Sequence, residues 1–333
     1  MPGDNKRKIA LISHGYPPNS VGGTEGHVAA LRERLAADFE VSVICRDAKG
    51  NTPQEDGGVL RLPPGPSLGS VDELLAPRDP VFEEALQSSI IKLDPHVAHV
   101  HHWCHLSNHL VRLLRDNGVP TVVTLHDHYV ICAASHMLRG DDTVCETAAD
   151  PDECARCLPP PKAAFEGESS WQRFLRASGR RLLNITRLPP AIRARAAELY
   201  RARRTELRAE LAAASYIISP SQALRQEIVR LWPDLSGRIH HLTHGLDSSW
   251  RDKVRKTPSE KVRFAYVGTV TPHKGIIILL AAAKLLRDQP LEIALYGACP
   301  DPHFRQWIEG MARELGVALK GAYSRADLPA IYS

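Results

Sequence analysis

The feature that most constrains this chain is a rhythm in which short apolar runs of strand length alternate with amphipathic stretches of helical length. In the first half, Ile9–Ser13, Val41–Cys45, Val59–Leu62, Val97–His101, Thr121–Leu125 and Tyr216–Ser219 read as strands. Between the first two lies TEGHVAALRERLAADF, where Val28, Leu31 and Leu35 fall on one helical face. A second helix carries Leu106, Leu110, Leu113 and Leu114 on one face and stops at Gly118, before Pro120. From Lys261 the rhythm restarts as VRFAYVG, IIILLAAAKLL, LEIALYG, FRQWIEGMARELG, VALKGA and ADLPAIYS. Such alternation buries a parallel sheet between helices, so the expected class is α/β. Three strands in the second half make half of a doubly wound domain, so that half is expected to be incomplete, with an open strand edge and an uncovered apolar face.

Composition narrows the class of function. At 333 residues, 43% hydrophobic and 24% charged, the chain has the make-up of a soluble protein long enough for two domains. A net charge of +4 is too small to imply a nucleic-acid partner. The start, MPGDNKRKIALISHGYPP, lacks the apolar core of a secretory signal, and no run approaches the ~20 residues of a membrane span. Seven cysteines, an odd number without a signal, favour a reducing compartment, so a cytoplasmic location is expected.

Three stretches carry candidate chemistry. GYPPNSVGGTEGH follows the first strand and leads into a helix; Gly22 and Gly23 lack Cβ atoms and would let a phosphate or sugar approach backbone N–H groups at a helix start. The spacing is not G-x-G-x-x-G, and a plain tight turn would use the same residues. TVVTLHDHYVIC places His126 and Asp127 at the carboxyl end of a strand, where open α/β sheets bind ligands. There a His-Asp pair orients an imidazole toward substrate, or forms a helix cap beside a structural histidine. VGTVTPHKG repeats the first logic, with Lys274 and Gly275 opening a helix; the lysine is either a diphosphate partner or an ordinary surface cation.

In their order along the chain, GYPPNSVGGTEGHVAALRERL, DPHVAHVHH, VPTVVTLHDHYVIC, SYIISPSQALRQEI, HLTHGLD, FAYVGTVTPHKGIIILLAA, LEIALYG and VALKGAYSRADLPAIYS resemble a family-4 retaining glycosyltransferase of GT-B fold. The resemblance implies two Rossmann-like domains. Residues 1–250 would form the acceptor side, with 129–214 as a Cys- and Arg-rich insert, and 251–333 part of the domain that holds a nucleotide-diphosphate sugar. It further implies a glycan or lipid-linked acceptor, no metal requirement for transfer, and a role in polysaccharide or glycoconjugate building. By the same resemblance Gly22 and Gly23 meet the donor, His126 lies beside the transferred sugar with Asp127 as its motif neighbour, and Lys274, with Gly275, pairs with the diphosphate. A fixed cation suits that position because the departing diphosphate carries negative charge.

Departures from the family pattern carry expectations of their own. Thr269 stands where many members have an arginine on the diphosphate, and His244 where an asparagine is usual. The family's two glutamates, separated by seven residues, do not occur here in their usual context. Glu198 and Glu206 have the spacing but sit in an arginine-rich helix. These 333 residues alone are therefore expected to transfer little sugar. A nucleotide-sugar epimerase of GT-B fold, or a non-catalytic module binding sugar nucleotide or membrane, are the alternatives.

The insert holds Cys132, Cys145, Cys154 and Cys157 in C-x12-C-x8-C-x2-C spacing, which suits a tetrahedral zinc or, alternatively, unmetallated thiols. Eleven arginines between Arg173 and Arg208 mix with apolar residues. They suggest peripheral contact with anionic lipid, or a solvated face paired with Glu198, Glu206 and Glu210. HVAHVHHWCHLSNH holds six histidines, read as polar residues at a strand end, with His101 and His105 the pair that would suggest a metal. Asn184 begins an NIT glycosylation pattern that means little without a signal.

Overall fold

The computed structural model describes residues 6–64, 78–139, 143–146, 150–158, 189–245 and 253–333. Two compact units result, Met1–His244 and Gly245–Ser333.

The first unit is built on an eight-stranded sheet in the order β3-β4-β2-β1-β5-β6-β7-β8. Its strands are β1 (Lys8–Ser13), β2 (Glu40–Cys45), β3 (Gln54–Asp56), β4 (Val59–Arg61), β5 (Val97–Val100), β6 (Thr121–Thr124), β7 (Tyr216–Ser219) and β8 (Ile239–His241). All neighbours pair in parallel except β3 and β4, an antiparallel edge pair of which the sequence pattern signals only β4. The central strand β1 reads KIALIS with its last four residues buried, as a strand covered on both faces requires. The chain leaves β1 toward β2 on one side and returns as β5 on the other, so the topological switch point lies between β1 and β5.

Helices cover the sheet. In α1 (Gly23–Leu35) Val28 is fully buried. In α2 (Pro80–Leu93), Asp79 caps the start by accepting from the Phe82 N–H at 3.0 Å, and Phe82, Leu86 and Ile90 share the buried face. The expected helix around Leu106–Leu114 is shorter, α3 (Leu110–Asp116), because Leu106 belongs to the turn before it. The stretch expected as an insert is the crossover between β6 and β7. It contains the one-bridge pairing Leu138↔Val144, the short α4 (Pro151–Cys157) and the long α5 (Pro190–Ala213), which returns the chain to β7. Helix α6 (Gln222–Leu231), capped by Ser221, links β7 to β8.

Helix α5 is the described part of the arginine-rich stretch; residues 173–188, including Asn184, lie outside the described residues. Its apolar face, Ile192, Ala196, Ala197, Tyr200, Leu207 and Leu211, is buried in the protein. Arg203 is buried too, donating to the Tyr129 carbonyl at 2.6 Å with its guanidinium 4.4 Å from that ring's centroid. Glu210 is completely buried, accepting from the Val111 N–H at 2.5 Å and Arg112 Nε at 2.8 Å, while Glu206 pairs with Arg112. The helix is therefore pinned to α3 by a carboxylate and uses its apolar side internally. Among the described residues no helix is long and apolar enough to cross a membrane.

The second unit carries the three-stranded parallel sheet β11-β10-β9, from β9 (Val262–Val267), β10 (Leu291–Tyr296) and β11 (Ala318–Gly321). Helices α7 (Ile276–Leu285), α8 (Pro302–Leu315) and α9 (Leu328–Ile331) accompany it. Its core joins Val270, Ile276, Leu280, Ile293, Leu295, Ile308 and Val317, while Val262 and Phe264 on β9 are more than half exposed. Gly268 and Gly297 end β9 and β10 at φ +157° and +156°, and a Cβ on Gly297 would lie 1.7 Å from the Gly268 carbonyl oxygen. Only glycine satisfies both demands there.

Candidate active site

The carboxyl ends of β1, β5, β6 and β8 converge on a cluster of histidines. His14 follows β1, His101 and His102 follow β5, His126 follows β6, His244 follows β8, and His27 reaches in from α1. His101 Nδ1 lies 3.1 Å from His126 Nε2. The His27 ring stacks on His244 with centroids 4.0 Å apart and meets His126 edge-on at 5.3 Å. Behind them His99 packs on His101 at 4.1 Å and bonds Thr124 Oγ1 at 2.8 Å through Nε2. The set sits at the switch point, where a parallel sheet opens a crevice for ligands.

Burial and crowding keep the rings of His27, His99, His101 and His126 uncharged. Desolvation, aided by neighbouring histidines, lowers His27 and His99 to about 4 and His126 to about 3, and holds His101 well below the usual range. A neutral imidazole offers one donor and one acceptor, the combination a sugar hydroxyl needs. His101 is wholly buried, and its Nε2 has no hydrogen-bond partner among the described residues. One ring nitrogen from each of His27, His101 and His126 lies within 4.8 Å of the others, close enough to share a metal ion.

Asp127 does not orient its neighbour His126. Successive residues at a strand end point to opposite sides, and the carboxylate turns to His102 instead. His102 Nδ1 accepts from the Cys104 N–H at 2.8 Å, which leaves Nε2–H to donate to Asp127 Oδ2 at 3.3 Å. Asp127 Oδ1 accepts from the Tyr129 N–H at 2.8 Å. Burial works against the Asp127 charge, but these bonds prevail and its pKa lies below the ordinary value.

The glycine turn is organised by acidic residues that the sequence reading passed over. Glu25, in the first turn of α1, pairs with His14 Nε2 at 3.1 Å and accepts from Ser20 Oγ at 2.7 Å. The His14 contact, against a burial penalty and with help from Ser20, lowers its pKa to about 2. Asp47 holds the preceding loop: its Oδ2 accepts from the Tyr16 N–H at 2.8 Å, and its Oδ1 pairs with Arg61 Nη1 at 2.6 Å. Arg61 in turn donates to the Tyr16 and Pro17 carbonyls at 2.9 and 2.7 Å. Gly22 is extended, so its conformation needs no glycine; a Cβ there would stand 2.6 Å from Glu25 Oε2. Nothing lies within 4 Å of the place a Gly23 Cβ would take, so the open approach to backbone is at Gly23.

In the second unit Lys274 ends a short 3-10 turn and is exposed, and Gly275, at φ +77°, begins α7. Thr269 is exposed, its carbonyl accepting from Tyr266 Oη at 2.7 Å. These three residues form one loop at the carboxyl end of β9. His105, outside the cluster, is exposed at φ +60°, so the pair His101 and His105 does not form a metal site.

The four cysteines of the crossover line one cavity of about 30 Å³, together with Arg139 and Glu153. Burial pushes the Cys154 thiol up to about 11.

Comparison with known proteins now decides the family. The model of Glycosyltransferase Family 4 matches residues 21–250, well over half of the chain. The chain belongs to glycosyltransferase family 4. It is 23% identical to the alpha-maltose-1-phosphate synthase of Mycolicibacterium smegmatis, over 95% of this chain and 67% of that protein. The synthase of the same name from Mycobacterium tuberculosis is 21% identical over 95% of this chain and 67% of its own length. Among solved structures, the catalytic domain of starch synthase IV from Arabidopsis thaliana, bound to ADP and acarbose, superposes with a TM-score of 0.55 at 13% identity, covering 98% of this chain and 76% of that one. An alpha,alpha-trehalose-phosphate synthase (UDP-forming) from Burkholderia vietnamiensis gives 0.52 at 12% identity, covering 97% and 74%. The fold is α/β of GT-B type, and the protein is a glycosyltransferase.

Proposed function

We propose that this glycosyltransferase moves a sugar from a nucleotide-diphosphate sugar to a glycan or lipid-linked acceptor, with retention of anomeric configuration and without a metal in the transfer step. One observation carries the reading above the others: His126, uncharged and held at 3.1 Å by His101, stands at the switch point of a family 4 sheet. In this reading His126 bonds a hydroxyl of the transferred sugar. Asp127 positions the wall of the crevice through His102, and Gly23, beside Gly22, admits the donor to the start of α1. Lys274 and Gly275, with the Thr269 loop, hold the diphosphate and stabilise its charge as it departs. The ADP and acarbose bound to the starch synthase, and the UDP-forming name of the trehalose-phosphate enzyme, support a nucleotide-sugar donor. The work is assigned to the cytoplasm, in building polysaccharide or glycoconjugate. Contact with anionic lipid would fall to exposed arginines such as Arg195 and Arg201 rather than to an apolar helix face.

Saturation-transfer NMR with UDP-, ADP- and GDP-sugars tests the donor site. Saturation of both nucleotide and hexose protons is expected, with the hexose signal alone reduced in His126→Ala. Failure of every nucleotide sugar to receive saturation from the folded protein overturns the proposal. The anomeric configuration of the isolated product tests retention.

A further inference from the structure

The crossover between β6 and β7 presents a problem of stability. Among the described residues of 131–158 the regular structure is an isolated bridge and a seven-residue helix; Ile131 and Met137 join the main core, and a small cluster joins Ala133, Ala155, Ile192, Ala196, Ala197 and Tyr200. Between Met137 and Ala155 no described residue is buried, so apolar packing contributes little to fixing that stretch. Yet four cysteines from three separate places along the loop turn toward one small cavity. Cys132 sits in the turn after β6, Cys145 next to the bridge, and Cys154 and Cys157 one helical turn apart on α4, where i and i+3 share a face.

We propose that Cys132, Cys145, Cys154 and Cys157 bind one structural zinc ion that ties together the first part of the β6–β7 crossover, beside helix α5. Four thiolates drawn onto one ion would make a closed site, the kind that takes zinc for structure and leaves no coordination position for substrate. A cavity of about 30 Å³ has room for a single ion. Four thiolates around a divalent ion leave two negative charges, and a cation is at hand: Arg204 of α5 approaches Cys154 Sγ at 3.8 Å, while Arg139 at the cavity pairs with Glu153 at 2.7 Å. The ion would also join two cores, since Cys132 and Cys145 pack against the main core of the unit and Cys154 against the small cluster under the loop. Folding and metal binding are then linked, and ordering of the crossover depends on the ion.

Metal analysis of the full chain, expressed with zinc and purified without a metal-affinity tag under reducing conditions, tests the site. About one zinc per chain is expected, with zinc lost in Cys154→Ser and Cys157→Ser and kept in Cys299→Ser, a thiol outside the cavity. Cobalt substitution of the wild type should give the visible bands of a tetrahedral four-thiolate ion, a readout that does not depend on the variants folding. No zinc in the wild type, or iron in its place, overturns the proposal. So does zinc that survives the cysteine substitutions and disappears in His27→Ala or His101→Ala, which would put the metal on the histidine cluster.

Discussion

His101 Nδ1 lies 3.1 Å from His126 Nε2, and the first of these rings is entirely buried. One shared proton therefore couples the tautomers of both, and the contact holds the exposed side of His126 toward the crevice. His101→Phe keeps an aromatic ring, somewhat larger than the imidazole, and removes the bond. The variant should stay folded yet lose on the order of tenfold or more in donor-dependent activity of the protein, the cost of a misplaced catalytic-site group. Wild-type kinetics in a folded His101→Phe would show that His126 needs no such support.

Acid sensitivity follows from the same cluster. His27 and His99 titrate at about 4 and His126 at about 3 in the folded chain, against 6.5 ordinarily. The unfolded chain thus takes up protons below pH 6.5 that the folded chain refuses. The stability is fully present above that pH and is lost as pH falls toward 4. Each ring contributes up to about 1.4 kcal/mol per pH unit, less for the partly exposed His27 and His126. Urea unfolding at pH 7.5, 6.0 and 5.0 should show a steep decline; equal midpoints would contradict the neutral, desolvated cluster.

The two glycines of the donor turn should separate. Gly22→Ala forces a methyl to 2.6 Å from Glu25 Oε2 and must disturb the Glu25–His14 pair, at a cost of about 1–3 kcal/mol. Gly23→Ala meets no atom within 4 Å and lies at the start of α1, so thermal stability should hold or rise slightly while donor binding weakens. Equal melting temperatures for the two variants would remove the assigned difference.

Glu210 is a buried carboxylate whose partners, Val111, Arg112 and Trp103, all belong to α3 or the turn before it. Glu210→Ala leaves two buried donors, Val111 N–H and Trp103 Nε1–H, without their acceptor while Arg112 keeps Glu206, and should cost about 2–4 kcal/mol in denaturant unfolding. A loss below about 1 kcal/mol would mean that packing alone holds α5 to α3.

Much of the fold was legible because it depends on local pattern. KIALIS and TVVT are apolar enough to be covered strands, and VRFAYVG through VALKGA keeps a strict strand-helix alternation. The edge pair β3–β4 was only half visible, since Gln54–Asp56 is an exposed polar strand with no apolar period. Helix α2 was missed although Asp79-Pro80 is a cap followed by a first-turn proline.

The site was less legible, because its partners are far apart in sequence. His126 and the glycine turn stood out as motifs, but His27, His99, His101 and His244 join them only through the sheet order, and His101 looked like one polar residue among six. Asp127 next to His126 suggested a pair, while register gives it His102. Glu25, two residues beyond Gly23, was a signal available in the sequence, an acid in the first turn of a helix that also restrains Gly22.

The central claim is a donor site that needs the cation after β9. Isothermal calorimetry with UDP, ADP, GDP and their sugars, on wild type and Lys274→Ala, tests it most directly. The account predicts binding selective for one nucleotide, weakened on the order of tenfold or more by the substitution, as expected for loss of a charge-assisted diphosphate contact. No binding by the wild type, or undiminished affinity in Lys274→Ala, would contradict it.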